Sequence, residues 1–437
     1  MGARETALNA LIACRKEGAW SNGVLKEYIL RDRLDRRDAA LATRLCYGVV
    51  QNRMKLDFYL KQLLTGKIRD LHPAVHDILH LGLYQLYEMD KIPQSAAVNE
   101  SVALAKKYCR KNRGAPGLVN AVLRNAIRSK ETLKQPKSLE DRYSHPQALI
   151  ALLKDYVGKE RLETMLRANN DTPATVVQVN TLRITAAALL EQLEAEQVTA
   201  RPHDWMPDCL VLTNTGSLEQ LPSFKEGLFY VQDPAAKLSV LCAQIPAGSR
   251  VLDCCAAPGG KSFAAAIAMN GEGTIHSCDV HPHKTVLIQN GADRLGLSNI
   301  KVFCQDATKD HSGWEESMDV VIADVPCSGY GIIRKKPDIR YKDPKEMEAL
   351  PQLQLEILSR QAEYVRPGGV LLYSTCTLLR RENEGVVEAF LKQRCDFTLE
   401  KLSLPAAFPQ NESGMLALVP GDYDTDGFFI CRLRRSA

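Results

Sequence analysis

Two cysteines are the residues of this chain best suited to covalent chemistry. Cys327 lies in the sequence DVPCSG (324–329), and Cys376 lies in STCT (374–377). Each follows an apolar, strand-like run, VVIADVP before the first and GGVLLYST before the second. In an open α/β sheet, ligands bind outside the carboxyl ends of the strands. The two thiols are therefore expected at one sheet edge, where they could attack a substrate held beside a cofactor.

A glycine-rich turn supplies the expected cofactor site. The strand-like VLDCC runs into CAAPGGK (255–261) and then into the helix-like SFAAAIAM. Glycines allow close approach of the backbone, and a helix N-terminus offers free N–H groups. A phosphate-binding P-loop would need its first glycine at position 255, which is cysteine, so that reading is rejected, and GxGxxG is also absent. Lys261 is expected either to pair with an acid of the pocket or to cap the turn.

Three aspartates are predicted at successive strand ends near this turn: Asp279, Asp306 and Asp324. An acid about twenty residues beyond such glycines can bind ribose hydroxyls. Acidic groups without a nicotinamide or triphosphate fingerprint favour an adenosine-containing ligand that carries positive charge. S-adenosylmethionine is such a ligand.

The whole chain has the composition of a globular protein. Its 437 residues are 45% hydrophobic and 25% charged, which predicts two or three domains. No run approaches the roughly 18 apolar residues of a membrane span. The thirteen cysteines are scattered without metal-ligand spacing. Buried thiols in a reducing cytoplasm are expected, rather than disulfides or a structural zinc site.

The hydrophobic periodicity divides the chain into four parts. Residues 1–130 are predicted to be all helical, with Asp38 as a candidate N-cap, and 131–170 to be a linker with helices. Residues 171–230 resemble a small α/β subdomain, and 231–437 alternate strands and helices. The alternation predicts a Rossmann-like, doubly wound parallel sheet that ends with the strand FFICRLRR.

A basic segment lies in the helical part. Residues 101–130 contain eight lysines and arginines and no acid, although the net charge of the chain is only +4. Such a run is often a solvated helix face, but a basic field also attracts polyanions by counterion release. The segment favours a nucleic-acid-binding surface.

Together, CAAPGGK, DVPCSG and STCT resemble the bacterial ribosomal RNA cytosine-C5 methyltransferases of the RsmB (Fmu/Sun) type. The resemblance extends over essentially the full chain, because AVNESVALAKKYCR and GLVNAVLRNAI are similar to the NusB-like RNA-binding domain of that branch. It implies an S-adenosylmethionine-dependent methyltransferase fold behind a small α/β subdomain and an all-α NusB-like domain. It also implies a cytoplasmic monomer that modifies 16S ribosomal RNA, free or in a small-subunit precursor, at a cytosine of the 967 type.

The resemblance assigns roles residue by residue. It implies that Cys376 is the nucleophile and that Cys327 is the second cysteine, which aids product release. The place of Asp324 at the same strand end as Cys327 adds a role beside the base: either protonated, or accepting from the amino group of the base, it could offset charge that develops on the ring. The residues implied to line the S-adenosylmethionine site are Cys255, Ala256, Ala257, Pro258, Gly259, Gly260, Lys261, Asp279, Asp306 and Asp324. The loop GIIRKKPDIRYK (331–342) is expected near the RNA.

Four positions depart from the family pattern. Val325 replaces the usual alanine beside the cofactor. Gln178, Lys336 and Tyr341 replace arginine, histidine and tryptophan in segments expected to contact RNA.

Three alternatives remain open. The enzyme could act on transfer RNA or another ribosomal cytosine. The chain could be an RNA-binding assembly or antitermination factor with a vestigial catalytic half, although the intact cysteines oppose this. A DNA methyltransferase, which would use the Pro-Cys thiol as its nucleophile, is the third alternative, and DNA is not the expected substrate.

Overall fold

The computed structural model describes residues 1–17, 20–409 and 411–437. These residues form two compact units. The first comprises residues 1–152 and 333–342, and the second comprises 153–332 and 343–437.

The first unit is helical, and no strand occurs among its described residues. Its helices are α1 (Ala3–Glu17), α2 (Ser21–Arg31), α3 (Arg36–Gln51), α4 (Arg53–Leu63), α5 (Pro73–Glu88), α6 (Gln94–Tyr108), α7 (Ala115–Ser129) and α8 (Leu139–Tyr143). Their apolar faces form one core that includes Leu8, Leu45, Ile78 and Leu123. The eight basic residues of 101–130 are all exposed, as a polyanion-binding surface requires.

The predicted N-cap of α3 is wrong by three residues. Asp35, not Asp38, caps the helix, and its side chain accepts a hydrogen bond from the Asp38 backbone N–H at 2.8 Å. Both aspartates are followed by helix-forming residues, so the sequence alone does not distinguish them. Asp38 lies in the first turn, where a negative charge interacts favourably with the helix dipole.

Residues 333–342 belong to the helical unit and include a short 3₁₀ helix, Pro337–Tyr341. Arg340 is buried and donates to the backbone oxygens of Gln51 and Tyr143 at 2.9 and 3.2 Å. The Tyr341 hydroxyl donates to the Val50 oxygen at 2.9 Å. The half-buried Tyr341 side chain therefore packs against the helical core, and its RNA contact stays a prediction. Lys336 is exposed.

Helix α9 (Gln147–Ala168) leaves helical geometry at Gly158, where φ is 80° and ψ is 166°. The small subdomain that follows contains β1 (Thr175–Val179), α10 (Ala186–Ala195), β2 (Thr199–Pro202), β3 (Cys209–Thr213), α11 (Pro222–Lys225) and β4 (Phe229–Val231). Its strands pair antiparallel in the order β2-β3-β1-β4. Gln178 of β1 is fully buried, and its amide donates to the Gln232 oxygen at 3.0 Å. The fully buried Gln178 side chain cannot contact RNA, so its predicted RNA contact is wrong.

The rest of the second unit is built on a larger sheet. Its elements are α12 (Pro234–Cys242), β5 (Arg250–Asp253), α13 (Gly260–Ala268), β6 (Thr274–Asp279), α14 (Pro282–Leu295), β7 (Ile300–Cys304), β8 (Met318–Asp324), α15 (Leu350–Ala362), β9 (Val365–Thr375), α16 (Glu384–Gln393), β10 (Phe397–Leu399), β11 (Met415–Leu418) and β12 (Phe428–Arg435).

The strand order is β10-β12-β9-β8-β5-β6-β7, and β11 also pairs with β12. The strands from β5 to β9 are parallel, as the alternation predicts. The terminal strand is where predicted, but it runs antiparallel to β9, so the sheet is mixed. No described helix is long and apolar enough to cross a membrane.

The cap of α3 gives a test of the helical unit. Asp35→Ala should lower its stability by about 1 kcal/mol, because the Asp38 N–H loses its acceptor. Asp38→Ala removes only a first-turn charge and should cost about 0.5 kcal/mol or less. Calorimetric unfolding of both variants measures the difference, and a larger loss in Asp38→Ala would contradict the assignment.

Candidate active site

Three parallel strands deliver the site. β5, β8 and β9 are neighbours, so their carboxyl ends lie at one edge of the sheet. Asp324, the last residue of β8, lies opposite Ser374 of β9 in the strand register. The glycine-rich turn follows β5, Cys327 follows β8, and Cys376 follows β9. The motifs that are far apart in sequence thus converge.

The two cysteines are in contact. The Sγ atoms of Cys327 and Cys376 are 3.3 Å apart, and both side chains are half-buried. The hydrogen bond with Cys376, together with burial, raises the pKa of the Cys327 thiol well above its ordinary value. Cys327 therefore keeps its proton at neutral pH.

Glycine backbone contacts hold the loops that carry these thiols. The Gly331 N–H donates to the Cys376 oxygen at 2.9 Å, and the Gly427 N–H donates to the Gly331 oxygen at 2.8 Å. A Cβ atom at Gly331 would lie 2.1 Å from the Gly427 oxygen. Only glycine allows this approach of the backbones.

Lys261 pairs with an acid, which resolves the alternative left open by the sequence. Its Nζ lies 2.5 Å from Asp324 Oδ2, and the Ser374 hydroxyl donates to Asp324 Oδ1 at 2.7 Å. Burial alone would lower the pKa of Lys261, but its attraction to Asp324 prevails and raises it. Lys261 is therefore charged, and Asp324 accepts a hydrogen bond at each of its oxygens.

The turn before α13 requires glycine, because neighbouring side chains leave little room for a Cβ atom. Gly259 has a φ of 113°, and a Cβ atom there would lie 2.3 Å from the Phe263 ring. A Cβ atom at Gly260 would lie 3.0 Å from the Gln232 amide nitrogen. Helix α13 begins at Gly260 without a side-chain cap, so N–H groups of its first turn are available to a ligand. The buried Gln232 Oε1 has no hydrogen-bond partner among the described residues.

The other two predicted acids lie at or after the ends of β6 and β7, which follow β5 in the strand order of the sheet. Asp279 ends β6, is 7% exposed, and accepts a hydrogen bond from the His281 N–H at 3.0 Å. Asp306 follows β7 by two residues rather than ending it. Hydrogen bonds from the Thr308 N–H and hydroxyl lower the pKa of Asp306. Each acid therefore caps its own loop with one carboxylate oxygen.

Sequence reasoning missed a buried chain of polar groups beneath the turn. Ser277 donates to Ser262, and Ser262 donates to Asp253 Oδ2, each at 2.7 Å. Burial raises the pKa of Asp253 to about 7. Asp253, the last residue of β5, follows an apolar run as the three predicted acids do, so the same sequence pattern could have identified it.

Glu382 was also missed. It is fully buried, and its Oε2 accepts hydrogen bonds from the Ser328 N–H at 2.9 Å and from the Gln354 amide at 3.0 Å. It thereby holds the residue after Cys327. No local sequence signal relates Glu382 to that loop.

Comparison with known proteins identifies the family. Family models match three segments: 16S rRNA methyltransferase RsmB/F over residues 241–434, the NusB family over 1–128, and an RsmF/B-like ferredoxin-like domain over 145–219. A Bacillus subtilis protein named probable ribosomal RNA small subunit methyltransferase B is 37% identical over 99% of this chain and 98% of its own. The chain belongs to the RsmB family of RNA methyltransferases. This confirms the resemblance, the fold class and the class of enzyme.

Further relatives agree. Ribosomal RNA small subunit methyltransferase B of Vibrio cholerae is 34% identical over 91% of this chain and 90% of its own. The solved structure of a protein named PH0851 covers 98% of both chains, with a TM-score of 0.82 and 25% identity. A methyltransferase homologue from Pyrococcus horikoshii covers 68% of this chain and 97% of its own, with a TM-score of 0.58 and 25% identity.

The raised pKa of Asp253 predicts a pH dependence of stability. The folded state binds the Asp253 proton more tightly than the unfolded state, so its contribution is complete below about pH 4 and is lost as the pH rises to about 7. Asp253→Asn should remove this loss and gain on the order of a few kcal/mol relative to the wild type across that interval. Melting temperatures at pH 4.5 to 8 measure it.

The matched control is Asp293→Asn on α14, because Asp293 is exposed. Its melting curves should follow those of the wild type at every pH. Parallel curves for Asp253→Asn and the wild type would show that Asp253 does not titrate in this interval.

Proposed function

We propose that this enzyme transfers a methyl group from S-adenosylmethionine to carbon 5 of a cytosine in 16S ribosomal RNA, at a site of the 967 type. The observation that carries the proposal is the 3.3 Å contact between the Cys327 and Cys376 sulfurs beside the Lys261–Asp324 ion pair. Family membership supports the RNA substrate, and the names of the relatives support the small ribosomal subunit.

The residues of the turn fit this cofactor. The N-terminus of α13 is open, and Gln232 Oε1 is buried without a partner among the described residues. We propose that residues 255–261, Asp279, Asp306 and Asp324 hold the cofactor, with Asp279 at its ribose hydroxyls. When bound, it supplies an electrophilic methyl group on a positively charged sulfur.

Carbon 5 of cytosine is a poor nucleophile, and addition of a cysteine to the ring overcomes this. The Cys376 thiolate adds to C6, which makes the ring electron-rich at C5, and C5 then takes the methyl group. Afterwards the C5 proton passes to a base, the C6–sulfur bond breaks, and Cys376 leaves as thiolate. Cys327 lies one sulfur–sulfur contact away from Cys376 and is assigned to this elimination.

Asp324 is proposed to orient the base. Lys261 and Ser374 fix both of its oxygens, and each oxygen retains a further lone pair for the cytosine amino group. Because an oriented acceptor need not reorganise during the reaction, it can hold the ring in position for the attack of Cys376 on C6. The target cytosine must also leave its stack to reach the thiols, which favours a loop or bulge as the substrate.

The proposed domain division is 1–130 for the NusB-like part, 131–170 for the linker and helices, 171–230 for the small subdomain and 231–437 for the catalytic part. The matched segments 1–128, 145–219 and 241–434 support this order. The enzyme is further proposed to work as a cytoplasmic monomer on free 16S RNA or a small-subunit precursor.

Bisulfite mapping of cellular RNA with and without the protein tests the target. The expected result is one cytosine in 16S ribosomal RNA that resists bisulfite conversion only when the protein is present. Protection lost only in transfer RNA, or at another ribosomal cytosine, would move the enzyme to its nearest alternative specificity. No change in any RNA would favour an assembly factor with a vestigial catalytic half.

Substitutions of the two cysteines should block the reaction at different steps. Cys376→Ser should abolish methyl transfer without forming a covalent complex, because a hydroxyl is a poor nucleophile at C6. Cys327→Ala should permit attack and accumulate an RNA–protein adduct, because elimination is impaired. Denaturing gels with labelled RNA measure the adduct, and an adduct in Cys376→Ala instead would reverse the assigned roles.

The basic surface of 101–130 should bind RNA. Replacing Lys106, Lys107, Arg110 and Lys111 with glutamine should weaken binding and reduce the slope of log affinity against log salt by up to about 3, at about 0.7 per phosphate contact. Lys107 also pairs with Glu5 at 2.5 Å, so its share should be the smallest.

A matched variant neutralises four exposed cations of the second unit: Arg201, Lys225, Lys301 and Lys309. It should retain more of the affinity and of the salt slope. Equal losses in the two variants would make the 101–130 segment an ordinary solvated face.

A further inference from the structure

Two histidines and an aspartate converge in the helical unit, on elements that the catalytic chemistry does not use. Asp57 lies on α4, and His76 and His80 lie one turn apart on α5. The Nε2 atoms of His76 and His80 are 2.7 and 2.8 Å from the same atom, Asp57 Oδ1. The two imidazole rings are 4.1 Å apart, and the three ligating atoms lie within 4.8 Å of one another.

The helix geometry explains the convergence. Residues four apart on an α-helix project from the same face, so both imidazoles point to the neighbouring helix. Two histidines at this spacing on one helix form half of a common zinc-binding arrangement. The carboxylate of Asp57 arrives from the preceding helix and completes a set of two nitrogen donors and one oxygen donor.

The cluster is accessible to an ion from one side. The His80 side chain is 3% exposed, whereas those of His76 and Asp57 are 18% and 25% exposed. No described residue donates a hydrogen bond to Asp57 Oδ2, which leaves that oxygen available as a ligand. Water can complete a coordination shell on the open side.

We propose that Asp57, His76 and His80 form a binding site for a divalent transition-metal ion, with zinc as the best match to the donor set. Imidazole nitrogen and carboxylate oxygen both bind zinc at about 2.0–2.2 Å. Tetrahedral ligands at that distance are about 3.3 Å apart, so the side chains must separate by about 0.5 Å on binding. Small side-chain rotations provide this separation. On binding, the proton that each neutral ring donates to Asp57 from Nε2 is replaced by a proton on Nδ1, which frees Nε2 for the ion.

The consequence of binding concerns the helical unit. The ion would replace two hydrogen bonds with three coordinate bonds between α4 and α5. Since an ion that binds only the folded state stabilises it, metal should raise the melting temperature of that unit.

Zinc titration of the full-length protein tests the site. The neighbouring thiols Cys327 and Cys376 could also bind zinc, so the background for every protein is Cys327→Ala with Cys376→Ala. After chelator treatment, calorimetry should detect about one equivalent of zinc that His76→Gln with His80→Gln abolishes. Cobalt should give a visible spectrum without a thiolate charge-transfer band, and zinc should raise the melting temperature only when both histidines are present.

The matched control is His281→Gln with His283→Gln, which removes another pair of neighbouring histidines, both exposed. It should bind zinc as the background protein does. Failure of the background protein to bind zinc, or undiminished binding by the His76/His80 variant, would reduce the cluster to a hydrogen-bonded link between helices.

A second variant covers the case in which the histidine variant fails to fold. Asp57→Asn retains an oxygen that accepts from both rings but loses the negative charge. Zinc affinity should fall at least about tenfold in this variant, because a neutral amide is a weaker ligand than a carboxylate. Unchanged affinity in a folded Asp57→Asn variant would overturn the proposal.

Discussion

The separation of the two sulfurs depends on backbone contacts at two glycines. Gly331 follows the Cys327 loop, its N–H donates to the Cys376 oxygen, and its own oxygen accepts from Gly427 before β12. A Cβ atom at Gly427 would lie 2.7 Å from the Gly331 Cα. These backbone contacts hold the three loops together, and a hydrogen bond of 2.6 Å between the Ser328 and Thr377 hydroxyls adds to them. Because the sulfurs are 3.3 Å apart, a shift of one loop by an ångström would separate a nucleophile from the group proposed to assist its departure.

The second constraint is electrostatic. The Lys261 side chain is 11% exposed and charged, and it lies in the turn proposed to hold a positively charged cofactor. An unpaired cation there would repel the sulfonium group, but the contact with Asp324 offsets that charge. The same carboxylate is then held by Ser374, opposite it on the adjacent strand. One ion pair therefore relates the cofactor turn after β5 to the substrate side of the site at β8 and β9.

The sequence predicts those features of the fold and the site that depend on residues adjacent in the chain. Apolar runs followed by Cys327, Cys376 and the glycine turn reveal strands whose ends meet, because parallel neighbours share an edge. It does not predict which partner a polar group finds across many residues: Lys261 with Asp324, or Tyr341 with Val50. The antiparallel direction of β12 also depends on a long connection without a local signal. The position of Gln178 in the chain predicts an RNA contact, but its side chain is fully buried, which excludes it from that role.

The Cys327 loop depends for its geometry on Glu382, a residue that has no part in the proposed reaction. A buried carboxylate is unfavourable unless it accepts hydrogen bonds, and here the Ser328 N–H and the Gln354 amide supply them. The backbone oxygen of Glu382 accepts from the Tyr373 hydroxyl at 2.5 Å, so the residue is also attached to β9. Since Cys327 immediately precedes Ser328, the direction of its sulfur follows from a hydrogen bond to a residue 54 positions later. The Cys327 loop is therefore held by Glu382, Gln354 and Tyr373, which no motif contains.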